Sequence, residues 1–194
     1  MRITKSLEER KQEILDTAME IFCEKGYDKT SISDIAQKMG VAQGLCYRYF
    51  KSKEEIFDSA IEYYADMQTA EMKKVLLDRS TSLKEKFNKG LNFMDFEKDN
   101  NNYYRVFHGK DSRKIHNQLS IKICENMCPV ISTLLKEEAD RGNVDLKGSD
   151  PETVASFSVY GQIGIISRDD LTKEEKENSI IKFLKTLFFS ITMQ

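Results

Sequence analysis

The chain has 194 residues, of which 40% are hydrophobic and 32% charged, which is enough apolar sequence to bury a core in one domain or two small ones. Its formal net charge of −2 argues against a protein that coats nucleic acid indiscriminately. Two prolines and nine glycines are fewer turn residues than sheet-rich proteins contain, so the composition predicts an all-α fold with long helices.

The first predicted helix extends from about Leu7 to Lys25. Ser6 is a suitable N-cap for it, and Glu9 completes an S-x-x-E capping box. Gly26 follows the last residue and is placed to act as the C-cap. Apolar residues recur at steps of three and four along the helix and form one stripe, which consists of Ile14, Leu15, Ala18, Ile21 and Phe22.

Two short helices are predicted next, and a tight turn at Gly40 and Val41 separates them. Ser31 is placed to cap the first of the two, and Asp34 is favourable in its first turn. The predicted buried face of that helix consists of Ile32, Ile35, Ala36 and Met39. The second short helix is predicted over residues 42–49. Three helices with a glycine-containing turn between the last two describe a helix-turn-helix.

The remainder of the chain is also predicted to be helical. Two further capping pairs, Ser52 with Glu55 and Thr172 with Glu175, open helices. Pro129 lies inside one predicted helix and should kink or split it, because proline lacks the N–H that the helix needs. The predicted helices cover residues 53–77, 83–96, 103–108, 112–141, 151–167 and 173–194.

The most apolar stretches, residues 159–166 and 186–192, are far shorter than a membrane span, and the N-terminus has no apolar run of signal-peptide type. We therefore expect a cytoplasmic protein that makes no membrane contact. Four cysteines are too few and too scattered for a disulfide scaffold, so reduced and mostly buried thiols are expected.

Residues 26–57, GYDKTSISDIAQKMGVAQGLCYRYFKSKEEIF, resemble the DNA-binding domain of the TetR family of repressors. The resemblance implies an N-terminal three-helix DNA-binding domain of the helix-turn-helix type over residues 1–53. It also implies a C-terminal helical domain over residues 54–194 that binds a ligand and dimerises. The matching positions are the glycine–aromatic pair at 26–27, Thr30, Ile35, Ala36, Gly40, Val41, Gly44, Tyr47, Tyr49, Phe50, Lys53 and Glu54.

The charge distribution is compatible with these two domains. Residues 1–53 carry ten Lys and Arg against eight Asp and Glu, whereas residues 54–194 carry twenty against twenty-four. A mildly basic N-terminal domain on an acidic body permits a local DNA-binding face.

In a helix-turn-helix the second helix enters the major groove, and its N-terminal residues meet the base edges. Gln43 can make a bidentate contact with adenine, and Arg48 can reach guanine or a phosphate. Gly44 allows close approach of the backbone to DNA. The predicted base-facing residues are Ala42, Gln43, Gly44 and Leu45. The resemblance implies phosphate contacts for Tyr47 and Tyr49. Lys53 lies at the predicted N-terminus of the fourth helix, where a cation and free N–H groups suit a phosphate, and Thr30 and Ser31 occupy the equivalent place before the second helix.

Two residues depart from the family pattern. Leu45 stands where the family commonly has threonine, and Cys46 stands where it commonly has leucine. Leu45 could contact a thymine methyl group or could pack on the first helix, and the sequence leaves both interpretations open.

The middle of the chain is rich in methionine and aromatic residues, which can line an adaptable apolar cavity or simply pack a core. The resemblance favours a pocket for a small apolar or amphipathic effector. The candidate lining residues are Phe93, Phe107, Met127 and Tyr160, with His108 or Asn126 as polar anchors.

The last two predicted helices carry wide apolar stripes. One consists of Val154, Phe157, Tyr160, Gly161, Gly164 and Ile165, and the other of Ile180, Phe183, Leu184, Leu187, Phe188 and Ile191. The resemblance implies that these helices form a homodimer interface, and closure of the chain's own core is the alternative.

The hypothesis is a ligand-responsive transcriptional regulator, a repressor that a small effector releases from a palindromic double-stranded DNA operator. An activator or a corepressor-dependent regulator is a second possibility. The alternative of another class is an all-helical enzyme or small-molecule-binding protein with a vestigial helix-turn-helix. The sequence contains no phosphate loop, dinucleotide fingerprint or nucleophile elbow, so we expect neither an enzyme nor a cofactor.

Overall fold

A computed structural model describes residues 5–92, 102–107 and 113–191, and the regular structure of these residues is helical, which confirms the all-α fold class. The helices are α1 (Leu7–Lys25), α2 (Ile32–Lys38), α3 (Gln43–Tyr47), α4 (Lys53–Leu77), α5 (Leu83–Asn92), α6 (Asn102–Phe107), α7 (Arg113–Asp140), α8 (Pro151–Ile166) and α9 (Lys173–Ile191).

Local capping chemistry sets the ends of α1 as predicted. The Ser6 hydroxyl accepts the Glu9 N–H at 3.2 Å, and the Glu9 carboxylate accepts the Ser6 N–H at 2.7 Å. At the other end, Gly26 has φ +86°, and its N–H donates to the Phe22 carbonyl at 2.9 Å. A side chain would be strained at that positive φ, so glycine ends the helix.

The helix α3 is shorter at both ends than the predicted segment 42–49. Ala42 has an extended backbone and acts as an N-cap without a side-chain hydrogen bond. Arg48 and Tyr49 form a turn in which the N–H groups of Tyr49 and Phe50 donate to the Cys46 carbonyl, each at 3.0 Å. The turn tightens the end of α3 and changes the direction of the chain before α4.

Pro129 lies inside α7 and does not split it, so of the two predicted effects the split is wrong and the kink stays a prediction. Apolar side chains on both sides of the proline pack into cores, including Met127 and Leu134 in one cluster and Cys128 and Leu135 in another. Pro129 itself is exposed. Core packing on the opposite side therefore compensates for the single hydrogen bond that proline removes.

The chain divides into two compact units. Unit 1 comprises Met1–Tyr64 with Asp99–His116, and unit 2 comprises Ala65–Lys98 with Asn117–Gln194. The boundary falls within α4 and within α7. The predicted domain boundary at residues 53/54 stays a prediction, and the first three turns of α4 lie in unit 1 together with α1, α2, α3 and α6.

The core of unit 1 is built from the stripes that the sequence predicts. The five predicted residues of α1 are buried, as are Ile32, Ile35 and Ala36 of α2, whereas Met39 is half-buried. A cluster of rings extends this core, and its members are Phe22, Tyr27, Phe57, Tyr64, Tyr103 and Phe107.

Unit 2 has its own cores. Leu76 of α4 packs with Met127 and Leu134 of α7, and Leu135 of α7 packs with Val144 and Ala155. Glu138 is buried, but its carboxylate accepts hydrogen bonds from Arg141 and, at 2.8 Å, from Asn143. Arg141 and Asn143 thus replace the water molecules that the Glu138 carboxylate loses on burial.

Candidate nucleic-acid interface

The helix α3 is attached to unit 1 by one side and leaves the other side open. Cys46 is fully buried, and Phe50 in the turn that follows is also buried. Ala42, Gln43, Gly44 and Arg48 are exposed, and Tyr47 is 51% exposed. The predicted base-facing residues, apart from the half-buried Leu45, therefore lie on the solvent side of the helix.

The conformation and surroundings of Gly44 do not require a glycine. A Cβ added at this position would meet no heavy atom within 4 Å, and its backbone is not in the left-handed region. Since glycine also lowers helix stability relative to alanine, nothing within the described part of the chain accounts for a glycine on the exposed side of α3.

Cys46 fills the position on the buried side of α3. Burial raises the pKa of its thiol, so the side chain behaves as a small apolar group rather than as a reactive thiolate. Leu45 beside it is half-buried, which leaves both packing and thymine contact open.

The position of Thr30 does not suit the phosphate contact expected at the start of α2. Its side chain is buried, and its hydroxyl donates to the Gly26 carbonyl at 2.8 Å. This arrangement closes the turn between α1 and α2 and indicates a structural role for Thr30, because a buried hydroxyl cannot reach a DNA backbone.

Ser31 is exposed, but it is engaged in the cap of α2. The Asp34 N–H donates to the Ser31 hydroxyl at 3.2 Å, and that hydroxyl donates to the Asp34 carboxylate at 2.6 Å. These hydrogen bonds, together with Lys25 at 2.9 Å, lower the pKa of Asp34 to about 2. The Asp34 carboxylate thus places a negative charge beside Ser31, which is unfavourable for a phosphate contact there.

Lys53 begins α4, and its ammonium lies over the ring of Tyr27. The distance from Nζ to the ring centroid is 4.2 Å, and Nζ donates to the Tyr27 carbonyl at 2.9 Å. Sequence reasoning singled out Lys53 but gave Tyr27 no role, although the glycine–aromatic pair at 26–27 was a signal that could have been followed. Of the two tyrosines with an implied phosphate contact, Tyr49 is half-buried and Tyr47 is exposed.

The candidate effector-binding residues lie in different surroundings. Phe107 belongs to unit 1, where it is fully buried with its ring 5.8 Å from Phe57 and 5.2 Å from Tyr64. Met127 is buried in a core of unit 2. Both positions are compatible with the simple packing that the sequence left open. Phe93 and His108 lie outside the described residues.

The two remaining candidates are polar residues of unit 2. The Asn126 amide donates to the Asp66 carboxylate at 2.9 Å and so links α7 to α4. Tyr160 of α8 is 38% exposed, and partial burial, with a smaller effect of Cys124, raises the pKa of its phenol. The effector site stays a prediction.

The stripes of α8 and α9 are only partly covered within the chain. Val154 and Ile180 pack inward, whereas Phe157 is 76% exposed and Phe183 is 52% exposed. Gly161 on α8 is exposed as well, and a Cβ added there would meet nothing within 4 Å. Among the described residues, the apolar rings of Phe157 and Phe183 are therefore left exposed on unit 2.

Within residues 5–92, 102–107 and 113–191, no helix is both long and apolar enough to cross a membrane. In the same ranges, no three His, Cys, Asp or Glu side chains are grouped so that they could hold a metal ion.

Residues 14–60 match the model of the family described as bacterial regulatory proteins, tetR family. The chain is 39% identical over 69 residues to the HTH-type transcriptional regulator YerO of Bacillus subtilis, a match that covers 36% of this chain and 24% of YerO. It is 30% identical over 105 residues to the HTH-type transcriptional repressor KstR2 of Mycolicibacterium smegmatis, which covers 54% of this chain and 50% of KstR2. The matches thus span only a quarter to a half of these curated relatives.

Solved structures match nearly the whole chain at low sequence identity. A TetR-family transcriptional regulator from Pectobacterium atrosepticum aligns with a TM-score of 0.68 at 19% identity and covers 96% of both chains. One from Mesorhizobium loti aligns with a TM-score of 0.65, also at 19% identity, and covers 97% of this chain and all of that one. At this identity the likeness shows the fold, and with it the arrangement of an N-terminal helix-turn-helix and a C-terminal helical domain.

Proposed function

This chain belongs to the tetR family of bacterial regulatory proteins, and from that premise we propose that it is a DNA-binding transcriptional repressor. It acts as a homodimer on a roughly palindromic operator and is released when a small apolar or amphipathic effector binds in its C-terminal part. A regulator is not an enzyme, and we propose no catalytic role for any residue.

The observation that carries the proposal is the open side of α3. Gln43, Tyr47 and Arg48 lie on the exposed side of α3, and the buried Cys46 holds the opposite side of the helix in the core. A Cβ at Gly44 would meet open space. An amide, a phenol and a guanidinium suit base edges and phosphates, and glycine suits close approach of a duplex. We therefore place the N-terminal residues of α3 in the major groove.

Dimerisation follows from the geometry of operator binding and from the surface of unit 2. Two recognition helices related by a twofold axis fit successive major grooves when they lie about 34–36 Å apart. The exposed rings of Phe157 and Phe183 are suited to an isologous contact in which α8 and α9 meet their copies. The named repressor KstR2 supports the sign of regulation, but its match covers only half of each chain.

The effector and the operator should lower each other's affinity, because each binds more tightly to a different conformer of the protein. Since α4 begins in unit 1 and ends in unit 2, it is the element through which we expect this coupling to pass. An effector that raises the dissociation constant for DNA must therefore bind more weakly to the DNA complex by the same factor.

The proposal is tested by selecting duplexes from a random-sequence library with the full chain and measuring their binding by fluorescence anisotropy across salt concentrations. We expect enrichment of a palindromic sequence and an affinity that falls steeply with salt. Failure to enrich any sequence, together with no binding at low salt, would contradict the proposal and favour a helical small-molecule-binding protein with a vestigial helix-turn-helix.

A matched pair of variants tests the role of Gln43 on the selected duplex. Gln43→Ala should cost about 1–3 kcal/mol of binding free energy and relax the preference at one base pair of each half-site. Gln37→Ala, which removes the same side chain from the exposed face of α2, serves as the control and should change neither. Equal weakening by Gln43→Ala on every sequence would remove the base contact from the proposal.

A further inference from the structure

We propose that Tyr27 is a positioning residue that holds the ammonium group of Lys53 in place for a DNA phosphate. The inference rests on the proposed function, because it assumes that Lys53 faces a duplex. It goes beyond that function by assigning a role in binding to a residue that belongs to the turn after α1 and need not contact DNA itself.

Two contacts from one residue fix the Lys53 side chain. Its Nζ donates to the Tyr27 carbonyl at 2.9 Å and lies 4.2 Å from the centroid of the Tyr27 ring. A lysine side chain otherwise moves among many rotamers, and this freedom is lost when the ammonium binds a fixed phosphate. Because the contacts with Tyr27 restrict the side chain beforehand, less freedom remains to be lost on binding.

The positive charge of Lys53 remains available. Among the residues that the structure describes, no carboxylate forms an ion pair with the Lys53 ammonium, whereas Lys25 and Lys38 in the same unit are paired with acidic side chains. An ammonium has three donors, and the carbonyl of Tyr27 takes one of them. The remaining donors are free to bind an anion.

Tyr27 also contacts the carboxylate of Glu54. Its hydroxyl donates to Glu54 Oε1 at 3.3 Å. Burial, and then the charge of Glu54, raises the pKa of Tyr27 to about 12, so the phenol stays protonated and continues to donate near neutral pH. Glu54, the residue next to Lys53, has stronger partners than the phenol, because hydrogen bonds from the α4 backbone and from Ser52 lower the pKa of its carboxyl more than Tyr27 does.

The ring of Tyr27 is itself held by its neighbours. Its centroid lies 5.2 Å from that of Phe22 in α1 and 4.9 Å from that of Phe57 in α4, and both phenylalanines are buried. These contacts fix the ring face over which Lys53 lies. The position of the ammonium is therefore tied to the core of unit 1.

A double-mutant cycle on the selected duplex tests the inference, with Tyr27→Leu, Lys53→Gln and the combined variant. Tyr27→Leu should weaken binding about 3- to 10-fold, and Lys53→Gln should weaken it at least as much and lower the salt slope by about 1. In the Lys53→Gln background, Tyr27→Leu should have no further effect. Tyr27→Phe, which keeps the ring, should stay within about 2-fold of the wild type.

A control cycle uses Lys51 in place of Lys53. Lys51 is a nearby exposed lysine of equal charge, and among the described residues its side chain forms neither a hydrogen bond nor a cation–π contact with Tyr27. Tyr27→Leu and Lys51→Gln should act additively on the same duplex. Thermal unfolding of each variant shows whether it is folded at the assay temperature, and Tyr27→Met replaces Tyr27→Leu if the leucine variant is not.

Additive effects of the Tyr27 and Lys53 substitutions would overturn the inference while leaving the proposed function intact. The same holds if Tyr27→Phe is as weak as Tyr27→Leu, because the ring would then not be the feature that matters. If the wild type binds no duplex at all, both the proposed function and this inference fail.

Discussion

The Tyr103 hydroxyl donates a hydrogen bond of 2.8 Å to the Asp16 carboxylate and thereby joins α6 to α1, although 87 residues separate the two in sequence. The Gln12 amide donates to both partners, to the Tyr103 oxygen at 3.2 Å and to Asp16 at 2.8 Å. Burial, and then Asp16, raises the pKa of Tyr103, so the phenol remains a donor at any physiological pH. These hydrogen bonds thus hold α6 against α1, the first helix of the DNA-binding part of unit 1.

Tyr103→Phe removes this hydrogen bond, and with it the longer one from Gln12, and keeps the ring contacts with Tyr64 and Phe107. We expect the free energy of unfolding to fall by about 1 kcal/mol, the usual net value of such a bond. Urea denaturation measures the change, with Tyr63→Phe as the control, because Tyr63 is partly exposed and its hydroxyl makes no hydrogen bond among the described residues. Equal stability of Tyr103→Phe and wild type would show that the bond contributes nothing.

Sequence reasoning succeeded where structure depends on neighbours along the chain. The caps at Ser6 and Ser31 and the turn at Gly26 need only residues a few positions apart, so they could be predicted. The contact between Tyr103 and Asp16 could not, because no local pattern specifies which distant helix receives a phenol. Whether Pro129 splits its helix could not be predicted for the same reason, since packing on both sides of it is a tertiary effect.

The candidate interface shows the same division. The exposed side of α3 followed from the resemblance and from the way a helix-turn-helix docks on DNA, whereas the burial of Thr30 depends on how the turn after α1 closes onto Gly26. The role proposed for Tyr27 depends on the meeting of residues 26 positions apart. A family resemblance alone does not show whether a matching residue contacts DNA itself or only positions a neighbour that does.

Gly44→Ala separates the requirements of the fold from those of binding. Alanine is the better helix former by about 1 kcal/mol, and the structure has room for its methyl group, so the free energy of unfolding should rise by up to that amount. On the selected duplex the same methyl group lies at the closest approach, and affinity should fall by about tenfold or more. Chemical denaturation and anisotropy measure the two quantities.

A variant of Gly44 that binds the duplex as tightly as the wild type would place the DNA elsewhere on α3. Gly40→Ala serves as a comparison at a position where the fold requires glycine, because Gly40 has φ +66° in the turn between α2 and α3. There we expect lower stability, since alanine is strained at positive φ.

The capping box of α2 predicts a specific dependence on pH. The pKa of Asp34 is lowered from 3.8 to about 2 by hydrogen bonds from Ser31 and by Lys25. A carboxyl whose pKa is depressed in the folded state contributes stability above its unfolded pKa, and this contribution is lost as the pH falls through the folded value. The stabilisation by Asp34 should therefore be complete above pH 4 and decline between about pH 4 and pH 2.

Asp34→Asn tests this dependence, because it cannot ionise. Melting temperatures of the wild type and the variant, measured at intervals from pH 6 to pH 2, should differ most at the upper end and converge as the pH approaches 2. Asp28→Asn, at an exposed position in the preceding turn, is the matched control and should run parallel to the wild type. A constant gap between Asp34→Asn and wild type down to pH 2 would contradict the assignment.

The exposed face of unit 2 gives the sharpest test of assembly. Phe157 is 76% exposed in the single chain, so replacing it by arginine removes little packing within the chain and should leave helix content unchanged. If α8 and α9 form the dimer, Phe157→Arg places a charge in the interface and should yield a monomer in light scattering. Its affinity for the palindromic duplex should then fall sharply, because the two half-sites are no longer bound as one unit. Leu7→Arg, at an exposed position of α1, should stay dimeric, and a dimeric Phe157→Arg would place the twofold contact on another surface.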